Sequence, residues 1–199
     1  MSAEQKEGKK PLLIFCHGLG GTKDSGIIDQ LYQRTPHKAL RFDFAGFGDA
    51  PGEFIGIQDQ VKQLTQVISE QQEPAVLIGH SLGGTTALLT HHPLILAKVI
   101  IAAPTQPDAL RENTYIFPGA VHTDSSSREY TITELFVAEA KTLRLPPQNT
   151  PILSLYGTQD TTVPPRHAPT EPLFVEDDHD FEHTAEELST HITHFVEEI

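Results

Sequence analysis

Residues 75–84 read Ala75-Val76-Leu77-Ile78-Gly79-His80-Ser81-Leu82-Gly83-Gly84, and this stretch decides the fold. Four apolar residues lead into a Gly-x-Ser-x-Gly string. The chain from Leu82 to about His91 then reads as a helix, which Pro93 stops. A serine with glycines two before and two after suits a sharp strand-to-helix turn, because side chains at those positions would clash. Its hydroxyl then stands at the carboxyl edge of a sheet, and the N-terminus of the next helix stabilises negative charge beside it. Ser81 is therefore the candidate nucleophile. A tight packing turn would explain the same glycines without chemistry, so the string needs support elsewhere in the chain.

Outward from this turn the pattern repeats. Pro11-Leu12-Leu13-Ile14-Phe15-Cys16 is a continuous apolar run, the mark of a strand buried on both faces. Further strands are predicted at Lys38–Phe42, Lys98–Ala102, Pro151–Tyr156 and, more weakly, Pro172–Val175. Ile57, Val61, Leu64 and Ile68 make one apolar helical stripe. Thr133–Leu143 is helical by composition. In the last helix Thr184 and Glu187 match a capping box, and Ala185, Leu188, Ile192, Phe195 and Ile199 share a face. Alternating strands and helices imply an α/β fold, with a parallel sheet of about six strands and helices on both faces. Little chain separates the last two strands, so a short turn or 3₁₀ segment is expected there.

A second glycine-rich turn, His17-Gly18-Leu19-Gly20-Gly21, follows the first strand. Such a loop lets a backbone N–H point at a developing oxyanion. The partner donor is the N–H of Leu82, the residue after the nucleophile. Leu19 is the first candidate for the other donor and Gly20 the alternative. His17 reads as a residue that orients this loop.

With these motifs together the chain resembles a small α/β-hydrolase, from about Pro11 to Ile199. Arg41-Phe42-Asp43-Phe44-Ala45-Gly46-Phe47-Gly48 is similar to a structural turn of that family. Tyr156-Gly157-Thr158-Gln159-Asp160 resembles the turn that delivers its triad acid, and Val175-Glu176-Asp177-Asp178-His179-Asp180-Phe181 the loop that delivers its histidine. The resemblance implies a catalytic set of Ser81, Asp160 and His179, in the family's chain order. Both loops follow neighbouring strands about 4.8 Å apart, so they rise from one edge of the sheet. Asp177, Asp178 and Asp180 are rival acids, and His183 is a rival base. Two departures stand out. Only about ten residues precede the first strand, so the antiparallel hairpin that opens the fold is expected to be missing. The interval from Asp160 to His179 is also short.

The implied activity is hydrolysis of small or medium acyl or aryl esters through an acyl-enzyme. An acyl thioester hydrolase is the runner-up, and a peptidase comes third. The competing class is a catalytically silent hydrolase fold used as a binding module. The longest stretch without clear periodicity is 104–131. There Thr114–Phe117 and Glu129–Ile132 flank a polar turn at Asp124–Ser127, which resembles a short esterase cap. Tyr115, Ile116 and Phe117 are the candidate lining of the acyl or aryl pocket.

Composition sets outer bounds. The 199 residues suit one domain spanning 1–199, and 38% hydrophobic residues are enough for a core. A net charge of −13 makes nucleic acid an unlikely partner, since phosphates would be repelled. Residues 1–99 carry nine basic and ten acidic side chains, whereas residues 100–199 carry five and seventeen. The acidic excess near the end reads as a solvated face. No apolar run approaches the ~20 residues of a membrane span. The first ten residues have no apolar signal core, and a lone Cys16 makes no internal disulfide, so a cytoplasmic location is expected. No cofactor or metal is expected. Pro51 occupies the third glycine position of a G-x-G-x-x-G loop, and His179 and His183 lack the H-E-x-x-H context of a zinc helix. Cys16 reads as an inert core thiol.

Overall fold

Side chains alternate across a strand, and in β2 (Lys9–Cys16) both sides are dry. Leu12, Ile14 and Cys16 pack on one face and Leu13 and Phe15 on the other, none more than 1% exposed. Fully burying such a side chain is worth about 1.5–3 kcal/mol, so this strand has to be covered by helices twice.

The computed structural model describes residues 2–106 and 116–199. Its main sheet runs β1-β3-β2-β4-β5-β8-β9, seven strands in all. These are β1 (Ser2–Lys6), β2, β3 (His37–Asp43), β4 (Ala75–His80), β5 (Ile95–Ile101), β8 (Ile152–Gly157) and β9 (Leu173–Val175). All pairings are parallel except that of β1 with β3. Helices α2 (Ile57–Gln71), α3 (Leu82–Leu89) and α4 (Glu134–Lys141) cover the face of Leu12 and Ile14. Helices α1 (Gly26–Arg34) and α5 (Ala185–Glu197) cover the face of Leu13 and Phe15. A 3₁₀ turn at Pro165–His167 joins β8 to β9. This is the minimal α/β-hydrolase architecture. No helix among the described residues is long and apolar enough to cross a membrane.

Four features differ from the sequence expectations. First, the sheet has a seventh strand. β1 lies antiparallel at the edge, with Ser2 opposite Asp43 and Lys6 opposite Ala39. Its sequence SAEQK has no apolar signal, because its hold is the backbone ladder and an ion pair from Arg41 Nη2 to Glu4 Oε2 at 2.6 Å. Second, α1 has no counterpart in the sequence reading, although Ile27, Ile28, Leu31 and Tyr32 are all buried. Third, the small hairpin pairs β6 (Val121–Thr123) with β7 (Glu129–Thr131), so its first arm is not Thr114–Phe117. Thr114 and Tyr115 lie outside the described residues. Fourth, no capping box forms at α5. The Thr184 hydroxyl donates instead to Asp177 Oδ2 at 2.9 Å, and Ile199 is exposed beyond the helix end.

The register brings the carboxyl ends of the strands level. Cys16 lies opposite Gly79, His80 opposite Ile101, and Gly157 opposite Val175. The loops after β2, β4, β8 and β9 therefore leave from one edge, where open α/β sheets place their ligand sites. At the far end of α3, the buried Lys98 ammonium donates to Leu88 O, Thr90 O and Gln148 Oε1. Burial pushes its pKa down to about 8. The cation sits on the last carbonyls of the helix, which have no intrahelical partners of their own.

Candidate active site

Ser81 sits between β4 and α3 with φ 51° and ψ −123°, a strained backbone for a residue with a side chain. Its neighbours leave it no alternative. A Cβ on Gly79 would lie 2.5 Å from Gly83 O, and one on Gly83 would lie 2.3 Å from Cys16 O. Helix and strand can cross this closely only without those side chains. The Ser81 N–H donates to Ile101 O at 2.9 Å, which ties the turn to β5.

His179 Nε2 lies 3.0 Å from Ser81 Oγ, and His179 Nδ1 lies 2.8 Å from Asp160 Oδ2. Asp160 Oδ1 accepts the N–H groups of Thr162 and Val163, both at 2.8 Å. Burial alone would raise the pKa of this carboxyl. The hydrogen bonds from His179, Val163 and Thr162 outweigh it and hold the group below the usual carboxylate range. An ionised carboxylate only accepts, so Nδ1 carries the imidazole proton. The Nε2 lone pair then faces Ser81, and the serine hydroxyl donates to it.

The rivals have other work. Asp177 is buried, and its Oδ2 accepts the N–H groups of His183 and Thr184 as well as the Thr184 hydroxyl. Asp178 accepts the Asp180 N–H. His183 is exposed. Cys16 is fully buried, and burial pushes its thiol pKa up.

The glycine-rich turn after β2 reaches the same place. His17 is 1% exposed, and burial pushes its pKa down. Its Nε2 accepts the Phe44 N–H at 3.1 Å, so Nδ1 carries the proton and donates to Gly18 O at 2.8 Å. The ring thus orients the loop, with both of its nitrogens engaged by Gly18 O and the Phe44 N–H. Asp43, fully buried, accepts the N–H groups of Lys23 and Asp49 and pairs with Lys23 Nζ at 3.3 Å. Leu19 lines the cavity that holds Ser81, and Leu82 opens α3, where the first N–H groups have no partner within the helix.

That cavity measures about 280 Å³. Leu19, Ile27 and Ile28 give it apolar lining, Ser125 reaches it from the hairpin, and Asp180 and Glu182 line it as well. Neither Ile116 nor Phe117 lines it. Ile116 packs against the core on the face of Leu12 and Ile14, and Phe117 is 56% exposed. Tyr115 lies outside the described residues. The hairpin reaches the cavity by its tip instead, because the tip is tied down. Asp124 accepts the Gly48 N–H at 2.7 Å, Ser125 N donates to Gly20 O at 2.9 Å, and Ser125 Oγ donates to Ser25 Oγ at 2.7 Å. The Ile27–Ile28 pair was within reach of sequence reasoning as an apolar step after Gly26. Ser125 and His80 carry no such signal.

Comparison with known proteins agrees with this architecture. A match to the alpha/beta hydrolase family spans residues 13–198. Mouse (Mus musculus) sn-1-specific diacylglycerol lipase ABHD11 is 31% identical over 97 residues, which cover 46% of this chain and 32% of that protein. The zebrafish (Danio rerio) protein of the same name is 32% identical over 101 residues, covering 48% of this chain and again 32% of the relative. The match thus spans about a third of the length of these curated relatives. Among solved structures, Est1E from Butyrivibrio proteoclasticus with bound ferulic acid superposes with a TM-score of 0.82 at 19% identity, over 99% of this chain and 94% of that one. Mouse alpha/beta hydrolase domain-containing protein 10 superposes with a TM-score of 0.77 at 20% identity, over 98% and 93%. At such identities the structures speak for the fold, whereas the family match runs through both glycine-rich turns and the loops of Asp160 and His179: the chain belongs to the alpha/beta hydrolase family.

Proposed function

We propose that this hydrolase cleaves esters with small or medium acyl or aryl groups through an acyl-enzyme formed on Ser81. The observation that carries the reading is the unbroken line of contacts from Ser81 Oγ to His179 and on to Asp160. His179 takes the serine proton as Ser81 Oγ attacks the ester carbonyl. Asp160 holds the imidazole tautomer and stabilises the imidazolium. The N–H groups of Leu82 and Leu19 receive the oxyanion. Collapse expels the alcohol, which takes its proton from His179. Water then repeats the sequence on the acyl-enzyme, releasing the acid and the free serine.

The cavity supports an ester over a thioester of a polyanionic carrier. Among the described residues its lining contains no Lys or Arg, and it includes Asp180 and Glu182, which repel anionic groups. Its volume is near the lower end of ligand pockets, which start at about 300 Å³. The lipase names of the mouse and zebrafish relatives point in the same direction.

Ser81→Ala tests the reading. The side chains of the three residues act as a unit, so ester turnover is expected to fall by about 10⁴-fold or more with the unfolding midpoint unchanged. A fluorophosphonate is expected to label the wild type on Ser81. Turnover by a pure Ser81→Ala sample at the wild-type rate ends the proposal, and absence of labelling returns the chain to the silent-fold class.

A further inference from the structure

We propose that His80 is a positioning residue for this reaction: its side-chain N–H, donated to the backbone carbonyl of His179, sets the distance between base and nucleophile. The inference rests on the roles given above to Ser81 and His179. His80 Nε2 lies 2.8 Å from His179 O, and a carbonyl only accepts, so the proton sits on Nε2. His80 immediately precedes Ser81 in the chain. One side chain therefore ties the backbone that carries the nucleophile to the backbone that carries the base, although 98 residues separate Ser81 from His179.

The surroundings fit a fixed strut. The His80 and His179 rings lie 5.0 Å apart and tilted, and His80 meets Phe181 at 89°, with ring centroids 6.1 Å apart. Phe181 is fully buried with φ 54°, so the loop just past the base holds a left-handed conformation that an unsupported chain avoids. Burial, reinforced by the neighbouring His179, pushes the His80 pKa down to about 3. The ring stays neutral through the working range, so it keeps one donor and adds no second positive charge beside the imidazolium that forms on His179.

Two replacements separate this role from simple space filling. His80→Phe keeps a ring and removes the donor. His80→Gln keeps an N–H at about the reach of Nε2. For the full chain, kcat and KM are measured on a short-chain p-nitrophenyl ester, together with the rate of fluorophosphonate labelling and the thermal midpoint. His80→Phe is expected to lower kcat by about 10–100-fold, the scale of a misplacement near 1 Å, with KM within about twofold. Labelling slows in proportion, and His80→Gln recovers most of both losses. Should His80→Phe fail to fold, His80→Asn takes its place, since its amide is one methylene too short. Equal losses in the Phe (or Asn) and Gln variants, or no loss in the donor-free one, overturn the proposal. A wild type that is not labelled on Ser81 overturns the proposed function and this inference with it. A labelled wild type matched by His80→Phe overturns this inference alone.

Discussion

The turn at Ser81 and the loop at His179 meet across 3.0 Å, yet they are held by different means. The turn is held by shape. Missing side chains at Gly79 and Gly83 let backbone touch backbone, and no other residue type fits those gaps. The loop is held by polar tethers, some from its own flank and some from elsewhere in the chain. Asp177 gathers three donors on Oδ2 and the Asp178 N–H on Oδ1, Gln159 N donates to Asp177 O, and His80 holds the His179 carbonyl. A turn made by steric exclusion should fail all at once. A loop made by several hydrogen bonds should loosen by degrees.

That contrast gives an order of effects. Gly83→Ala puts a methyl within 2.3 Å of Cys16 O and 2.5 Å of His17 O. Backbone has to move, and a loss of about 3 kcal/mol is expected in urea unfolding, with activity abolished. A loss below about 1 kcal/mol would break the comparison, since the turn would then have slack. Asp177→Ala removes the acceptors of the loop while leaving the turn alone. A cost of about 2 kcal/mol is expected from the orphaned N–H groups. The labelling rate of Ser81 should fall in the same variant, because His179 is no longer held. Unchanged labelling would mean that β9 and α5 alone fix the loop.

Acid sharpens the picture. His80, with a pKa near 3, and His17 stay neutral in the fold but take a proton in the unfolded chain below about 6.5. The unfolded state then binds more protons, so stability falls as pH drops from about 6.5 toward 3. The slope for His80 is about 1.4 kcal/mol per pH unit. Asp160 and Asp177 add a second window. Their folded pKa values are depressed, so their contribution is present above the unfolded value near 3.9 and is lost below it. Urea midpoints of wild type and His80→Phe, measured from neutral pH down to about 4.5, should differ most at neutral pH and converge on acidification. Parallel curves would show that His80 does not titrate on unfolding.

The smallest effect belongs to the cap. Phe117→Ala removes an exposed ring and is expected to change stability by less than about 0.5 kcal/mol. It should also leave the ranking of ester chain lengths as it was. Ile27→Ala, inside the cavity wall, is expected to shift that ranking toward bulkier acyl groups. If Phe117→Ala shifts the ranking and Ile27→Ala does not, the substrate enters by another route.

Much of this molecule could be read from residue order alone, because its signals are local. The apolar runs of β2, β4 and β5 name the buried strands, and the glycines around Ser81 mark a turn that has room for nothing else. Asp160 and His179 could be named by their motifs, but three nearby carboxylates and His183 stayed open beside them. Folding separates these candidates by the partners that each one meets. Asp177 is taken up by the start of α5, while Asp160 receives the Thr162 and Val163 N–H groups and faces His179. Strand β1 was silent because a backbone ladder needs no apolar pattern. The pocket lining was not legible for a related reason. Hydrophobicity named Ile116 and Phe117 as wall residues, but which apolar side chains face the nucleophile depends on where a hairpin is tied. Hydrogen bonds at Asp124, which accepts, and Ser125, which donates, tie it by its tip, and Ile27 and Ile28 of α1 stand at the wall. Periodicity and the spacing of glycines around a turn are properties of neighbours in the chain, whereas a pocket wall is set by contacts that exist only once the chain has closed on itself.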